Sequence, residues 1–264
     1  MEDRASATTL FVCDRWLSTL DLSDYVNLEE LYCHNNQLKE LDVSKCVKLT
    51  YLDCGGNQLA ALDVSKCANL NRLYCHNNQL KELDVSKCVN LEELYCDGNQ
   101  LADLDVSKCV NLGWLDCGGN NICKLDVSKC VNLTVLDCSN NQLAELDVSK
   151  CVNLRGLYCS GNNLCKVDIC GLKNLLRVCI QESPFLAELL TDTGQETGIN
   201  LLKEGKWMRI EEAQTMLESG KAVQRRAVKR VQWWTTEARY RPGGSGYMNS
   251  LESFEKRIKT GFKQ

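Results

Sequence analysis

Apolar residues return to the same positions every 21 residues between residues 28 and 174, with polar residues between them. Seven full units follow one another, a degenerate unit covers residues 1–27, and the spacing of Leu175, Val178 and Ile180 predicts a closing strand. In the first full unit the apolar positions are Leu28, Leu31, Cys33, Leu38, Leu41 and Val43. Such a fixed period predicts a solenoid, in which each unit buries its apolar side against its neighbours.

The first part of each unit has the alternation of a half-buried strand. Leu31 and Cys33 are expected to point inward while Glu30, Tyr32 and His34 point outward, because successive side chains in a strand face opposite sides. Stacked copies then form a parallel sheet of about eight or nine short strands, spaced about 4.8 Å apart.

Polar residues that recur with the same period predict how the turns are held. The segment Asp42–Lys45 indicates a tight turn in which Asp42 or Ser44 bonds nearby backbone amides. An asparagine in each unit offers an amide to backbone groups that the bend leaves unpaired, and these amides should form a ladder through the solenoid. This asparagine column consists of Asn36, Asn57, Asn78, Asn99, Asn120, Asn141 and Asn162.

The motif Leu-x-x-Leu-x-Cys-x-x-Asn-x-Leu resembles the hallmark of the leucine-rich-repeat family, with cysteine in the place of the third leucine. The second half, Leu-x-x-Leu-Asp-Val-Ser, looks like the short 21-residue class common in bacterial and some viral proteins. The resemblance covers about residues 7–180. It implies an α/β repeat solenoid, a right-handed coil with its parallel sheet on the concave side, which is usually used to bind other proteins.

The chain holds 18 cysteines, most of which lie in two periodic columns. One column starts at Cys33 and the other at Cys46, and both occupy places where the repeat needs an apolar residue, which favours a core role. Disulfides between neighbours remain open on Cα spacing alone, but the Cβ spacing and a reducing compartment disfavour them. Cys-x-x-Cys pairs are absent, and His34 and His76 lie two repeats apart. The loosest group, Cys159, Cys165, Cys170 and Cys179, is a weak metal candidate, so we expect neither a metal nor a cofactor.

The outward positions of the strands carry aromatic and charged side chains of the types that dominate protein interfaces. We predict that they form a partner-binding face on the concave side, although aromatic residues also simply suit strands. The acidic character of this face disfavours nucleic acid there. Nothing in the sequence provides a nucleophile with its base, so no enzymatic activity is expected. The predicted binding residues are Glu30, Tyr32, Tyr51, Arg72, Tyr74, Glu93, Tyr95, Trp114, Asp116 and Tyr158.

The charge divides the chain into an acidic body and a basic tail. Residues 1–200 carry a net charge of −11, whereas residues 201–264 carry +7. The sequence predicts the solenoid over 28–180, a closing helix (Phe185–Leu190) and loop within 181–200, and a basic helical region over 201–264. This region is expected to cap the solenoid, to dock on an acidic protein surface or, as a third alternative, to touch nucleic acid. The residues assigned to docking are Arg225, Arg226, Lys229, Arg230 and Trp233.

Together these patterns predict a non-catalytic protein–protein interaction module. The alternative is a structural component of a larger assembly, such as a bacterial surface complex or a viral particle, which includes self-association. No apolar run approaches the roughly 18 residues that a membrane span needs. We therefore expect the protein in a reducing cytoplasm, or in a particle assembled there.

Overall fold

The computed structural model describes residues 4–180 and the backbone of three later strands. Nine strands of three residues each follow the 21-residue repeat and lie side by side in one parallel sheet. They are β1 (Thr9–Phe11), β2 (Glu30–Tyr32), β3 (Tyr51–Asp53), β4 (Arg72–Tyr74), β5 (Glu93–Tyr95), β6 (Trp114–Asp116), β7 (Val135–Asp137), β8 (Gly156–Tyr158) and β10 (Arg177–Cys179). The strand between the last two, β9 (Lys166–Asp168), does not belong to this sheet.

The register of the sheet follows the sequence period. Leu31 lies opposite Leu52, and Leu52 lies opposite Leu73, so equivalent residues of successive repeats stack directly on one another. This confirms the predicted stack of about nine parallel strands. Because each repeat contributes the same apolar positions, a single core cluster extends from Val12 to Ile180.

The asparagine column forms the expected ladder. Asn57 Nδ2 donates to the carbonyl of Cys54 in its own repeat at 3.0 Å and to that of Cys33 in the preceding repeat at 3.1 Å. Its Oδ1 accepts from the amide of Leu38 at 3.0 Å. One buried side chain therefore satisfies backbone groups of two repeats, which would otherwise be unpaired inside the protein.

The segments that return to the next strand are chains of turns. The amide of Cys46 donates to the carbonyl of Val43 at 2.9 Å, and the amide of Leu49 donates to that of Cys46 at 3.1 Å. Asp42 Oδ1 accepts from the Ser44 amide at 2.8 Å, as the sequence predicts. These bonds span three residues rather than four, so the return is not α-helical. The α/β expectation is therefore wrong for the described residues, whose one helix is the 3-10 turn Arg4–Ser6.

The two cysteine columns are both fully buried, which confirms their core role, but their thiols have different surroundings. In the second column Cys88 Sγ donates to the carbonyls of Val64 at 3.9 Å and Cys67 at 3.8 Å. The same contact with the preceding repeat recurs at Cys67, Cys109, Cys130 and Cys151. All 18 cysteines are free thiols in this structure.

The C-terminal end of the solenoid differs from the sequence prediction. Within the expected closing helix, Glu188–Leu190 forms a strand (β11) that pairs in parallel with β9. Two further strands, β12 (Asn200–Lys203) and β13 (Lys206–Arg209), stand at the start of the region that was expected to be helical. β12 pairs in parallel with β10, and β13 pairs antiparallel with β12. Additional strands satisfy the backbone groups that a sheet edge leaves unpaired, which explains why this end is extended by strands. The helices expected from Glu211 onward lie outside the described residues.

Candidate protein-interaction face

The outward sheet face consists of the side chains that alternate with the buried leucines on β1 to β8. Each strand presents its first and third residues on this face, as Glu30 and Tyr32 do on β2. The middle residue, Leu31 on that strand, is fully buried. The repeat therefore sets two columns of outward side chains that run across the whole sheet.

Six aromatic rings contact one another in sequence across the first six strands. Ring centroids lie 4.5 Å apart between Phe11 and Tyr32 and 4.6 Å apart between Tyr32 and Tyr51, and both pairs are stacked. The contacts continue with edge-on packing at 5.3 and 4.6 Å and end with a stacked pair at 5.8 Å. We call this series the aromatic ladder: Phe11, Tyr32, Tyr51, Tyr74, Tyr95 and Trp114.

The rings of the aromatic ladder come from both columns of outward side chains. Tyr51 and Trp114 are first residues of their strands, whereas Tyr32 and Tyr74 are third residues. The sequence prediction included every member except Phe11. Phe11 precedes Tyr32 by 21 residues. The 21-residue period, extended into the degenerate first repeat, therefore identifies Phe11 as a member of the same column.

Polar side chains bind to the aromatic ladder at two places. The Tyr32 hydroxyl donates to Glu30 Oε2 at 3.3 Å. Glu93 accepts from two groups, namely Arg72 Nε at 3.2 Å and the Tyr74 hydroxyl. Burial raises the pKa of Tyr32, with the Glu30 carboxylate adding to the shift, so the phenol remains a donor at neutral pH. These contacts fix ring orientations before any partner binds.

Exposure falls along the aromatic ladder from its N-terminal to its C-terminal end. Phe11 is 58% exposed and Tyr32, Tyr51 and Tyr74 are half-buried, whereas Trp114 is only 6% exposed. Trp114 belongs to a second hydrophobic cluster, separate from the main core, with Tyr95, Val135, Tyr158 and Cys179. Tyr95, Trp114, Asp116 and Tyr158 are therefore not accessible in this structure, contrary to the expectation of an open face. Column position shows on which face a side chain lies, but it does not show how much of that face is covered.

Three carboxyl groups, Asp97, Asp116 and Asp137, influence one another beside that cluster. Burial raises the pKa of Asp97 to about 7, and the charge of Asp137 adds to the shift. Burial also raises the pKa of Asp116 well above its ordinary value, with Asp97 and Asp137 contributing. Asp116 Oδ1 accepts from the Gly118 amide at 3.1 Å, while its Oδ2 has no partner among the described residues. Asp97 and Asp116 therefore hold protons at higher pH than ordinary carboxyl groups, so this part of the face is less negative than its composition indicates.

The remaining predicted site residues are in the C-terminal region. Arg225, Arg226, Lys229, Arg230 and Trp233 lie outside the described residues. Where the structure does describe the chain, none of its helices has the length and apolar character to cross a membrane.

The chain matches one family model, described as Leucine Rich repeats (2 copies). The matched segments are residues 26–67, 68–109 and 131–174. Among curated proteins, no sequence matches the chain.

Three bacterial proteins of known structure share this architecture. The functional domain of InlJ from Listeria monocytogenes, described as including a cysteine ladder, is 31% identical with a TM-score of 0.53, and the match covers 75% of this chain and 53% of that one. The leucine-rich-repeat protein LIC12759 from Leptospira interrogans shares the fold at 22% identity and a TM-score of 0.53, over 68% of this chain and 61% of that one. Internalin C2 from Listeria monocytogenes is 25% identical with a TM-score of 0.53, over 65% of this chain and 79% of that one.

The chain thus spans between about half and three fifths of the length of the first two relatives. The matched repeats, the parallel stack and the two buried cysteine columns lead to the same assignment. The chain belongs to the leucine-rich-repeat family.

Proposed function

We propose that this protein is a non-catalytic interaction module that binds a protein partner through the N-terminal part of the outward sheet face. The residues in this part are Phe11, Glu30, Tyr32, Tyr51, Arg72, Tyr74 and Glu93. The fold is typical of protein–protein interaction modules. The observation that carries the proposal is the aromatic ladder, which is continuous across six strands and accessible at this end.

The chemistry of this area suits an interface. Tyrosine and arginine are enriched among the residues that contribute most to binding, and they act best when their orientation is already fixed. Tyr32 and Tyr51 are fixed by stacking, and Arg72 is fixed by its contact with Glu93. These side chains therefore lose little conformational freedom when a partner binds.

The groups with perturbed acidity do not suggest catalysis on this surface. Burial raises the pKa of Cys88 to about 12 and that of Cys96 well above its ordinary value, so these thiols are not nucleophiles near neutral pH. Asp116 and Asp137 have almost no exposed surface, so a substrate cannot reach them in this structure. The N-terminal part of the face offers stacking, hydrogen bonds and charge, which are binding functions.

The experiment is affinity capture from the native host with the full chain immobilised, followed by quantitative mass spectrometry. The test variant is Tyr32→Ala with Tyr51→Ala, and the control is Val110→Ser with Val131→Ser, which changes two exposed residues outside the strands. We expect the first variant to lose at least about tenfold in capture of the wild-type partner, whereas the control retains it. Circular dichroism must show both variants folded. Equal capture by the folded test variant and the wild type would contradict the proposal.

A further inference from the structure

A cysteine, an aspartate and a histidine meet at the N-terminal end of the solenoid. Cys13 and His34 are 21 residues apart and therefore occupy equivalent positions just after β1 and β2. Asp14 follows Cys13 and has a φ of 57°, the left-handed conformation that Asn35 and Gly56 adopt at the same place in the next two repeats. The Asp14 amide donates to the His34 carbonyl at 3.1 Å, which ties the two repeats together at this point.

One potential ligand atom from each of these three side chains lies within 4.8 Å of the other two. His34 Nε2 and Asp14 Oδ2 are 3.8 Å apart, which is too long for a hydrogen bond. Two ligands of a tetrahedral zinc ion, each bound at about 2.0–2.1 Å, are separated by roughly 3.4 Å. For this pair the difference closes with a movement of a few tenths of an ångström, and Cys13 Sγ lies within 4.8 Å of a ligand atom of both residues.

The other polar atoms of two of these residues lie close to further polar groups. His34 Nδ1 lies 2.8 Å from Asp53 Oδ2, an ion-pair distance, although the two groups are not aligned as a hydrogen bond. Asp53 Oδ1 in turn accepts from the Gly55 amide at 3.1 Å, which holds the carboxylate beside the imidazole. Asp14 Oδ1 accepts from Asn35 Nδ2 at 3.1 Å. A carboxylate on the far nitrogen of the imidazole is the arrangement that orients metal-bound histidines and increases their basicity. His34 Nε2 and Asp14 Oδ2 are not used in these contacts, and a ligand atom of each residue lies within 4.8 Å of Cys13 Sγ.

We propose that Cys13, Asp14 and His34 bind a divalent transition-metal ion of the zinc type, with Asp53 as the positioning residue behind His34. Sulfur, nitrogen and oxygen ligands together are those that zinc accepts in tetrahedral sites. Cys13 binds as the thiolate, and its proton passes to solvent. Three protein ligands leave a fourth position for water or for a group supplied by another molecule. This inference is independent of the function proposed above.

The 21-residue repeat pattern does not reveal this site. The degenerate first repeat replaces the ladder asparagine with Arg15, and Cys13 belongs to neither cysteine column. A search for Cys-x-x-Cys pairs does not detect it because its ligands come from adjacent repeats. Among residues 4–180, Cys13, Asp14 and His34 are the group of three potential metal ligands whose ligand atoms lie close together. In the C-terminal cysteine group, by contrast, Cys165 and Cys170 are exposed.

Cobalt(II) titration of the reduced full-length protein tests the site by spectroscopy. We expect one ion per chain with a thiolate-to-cobalt charge-transfer absorption, and displacement of the cobalt by zinc. The variants Cys13→Ser and His34→Gln should lose this absorption, while Cys123→Ser, which alters an exposed thiol elsewhere, should retain it. Asp53→Asn should weaken cobalt binding roughly 10- to 100-fold without abolishing it.

Alkylation provides a second readout that does not depend on a variant folding. Zinc should protect Cys13 of the wild-type protein from iodoacetamide, as measured by peptide mass spectrometry, while the exposed Cys123, Cys165 and Cys170 react equally with and without zinc. If no cobalt absorption appears and zinc leaves the alkylation of Cys13 unchanged, the cluster is an imidazole held between two carboxylates and the proposal is overturned. Cobalt absorption that persists in folded Cys13→Ser would also overturn it.

Discussion

Asn99 joins two repeats through the main chain of Cys75, which lies 24 residues earlier. Its Nδ2 donates to the Cys75 carbonyl at 3.0 Å and to the Cys96 carbonyl of its own repeat at 3.1 Å, while its Oδ1 accepts from the Leu80 amide at 3.0 Å. The same arrangement is repeated along the asparagine column. Stability between repeats therefore depends on buried amides as well as on apolar contact.

Asn99→Ala should lower the free energy of unfolding by about 2–4 kcal/mol, because it leaves buried carbonyls and an amide without partners. Asn90→Ala is the matched control, since Asn90 is exposed and its amide makes one long contact of 3.4 Å with the Ala68 carbonyl. The control should change stability by less than about 0.5 kcal/mol. Urea denaturation followed by circular dichroism measures both, and equal losses would contradict the assigned role of the ladder.

Cys96 and Cys88, one from each cysteine column, should respond differently to serine. Cys96 is fully buried and has no hydrogen-bond acceptor among the described residues, so Cys96→Ser should cost about 1–3 kcal/mol. Cys88→Ser retains the carbonyls of Val64 and Cys67 as acceptors and should cost less than about 1 kcal/mol. Thermal and urea denaturation under reducing conditions give the comparison, and the reverse order would show that the carbonyl contacts of Cys88 do not determine the cost of the substitution.

Stability should fall as pH rises through neutrality because of Asp97. Its pKa is raised to about 7 in the folded protein, chiefly by burial, so the folded state holds a proton that the unfolded chain has lost. The stabilisation is complete below the unfolded pKa, near 4, and is lost as pH rises through about 7. Asp97→Asn should therefore gain about 2–3 kcal/mol relative to the wild type between about pH 5 and pH 8.

Asp105→Asn is the control for that titration. The Ser107 amide, which donates to the Asp105 carboxylate, lowers the pKa of Asp105, so its contribution is lost only as pH falls below about 4. Between about pH 5 and pH 8 its effect should be constant. An Asp97→Asn difference that does not vary with pH would show that this carboxyl does not titrate in that window.

The sequence predicted the features that the repeat period encodes. Equivalent leucines stack because each unit buries the same face, and Asp42 and Asn57 bind where the period places them. It predicted that aromatic side chains share the outward face, but not that the rings of Tyr51 and Trp114 contact neighbours in a different column. Burial of the C-terminal part of the outward sheet face depends on packing between residues that are distant in sequence. The alternation of apolar and polar residues along a strand does not reveal that packing.

The ends of the solenoid were the least predictable parts. At the C-terminal end the apolar run Phe185–Leu190 suits a helix or a strand, and the chain forms β11 within it because its backbone pairs with β9. At the N-terminal end the degenerate repeat hides that Cys13 and His34 are neighbours. Both differences arise at an end of the solenoid, where the chain has a full neighbouring repeat on one side only.

Arg72 should matter for binding more than for stability. Its ion pair with Glu93 is exposed on the arginine side, so Arg72→Ala should change the free energy of unfolding by less than about 1 kcal/mol. If Arg72 contributes to the interface, the same variant should weaken partner binding by at least about fivefold. Lys87→Ala, which removes an exposed charge outside the strands, should change neither. Calorimetric titration with the captured partner compares the three proteins.

Site-specific photocrosslinking tests the binding face most directly. A photoreactive phenylalanine derivative at position 51 lies within the accessible part of the aromatic ladder, and the same derivative at position 110 lies outside the strands. On irradiation with the partner present, we expect a covalent adduct from position 51 and none above background from position 110. An adduct from position 110 with none from position 51 would contradict the account, because the partner would then bind a surface other than the aromatic ladder.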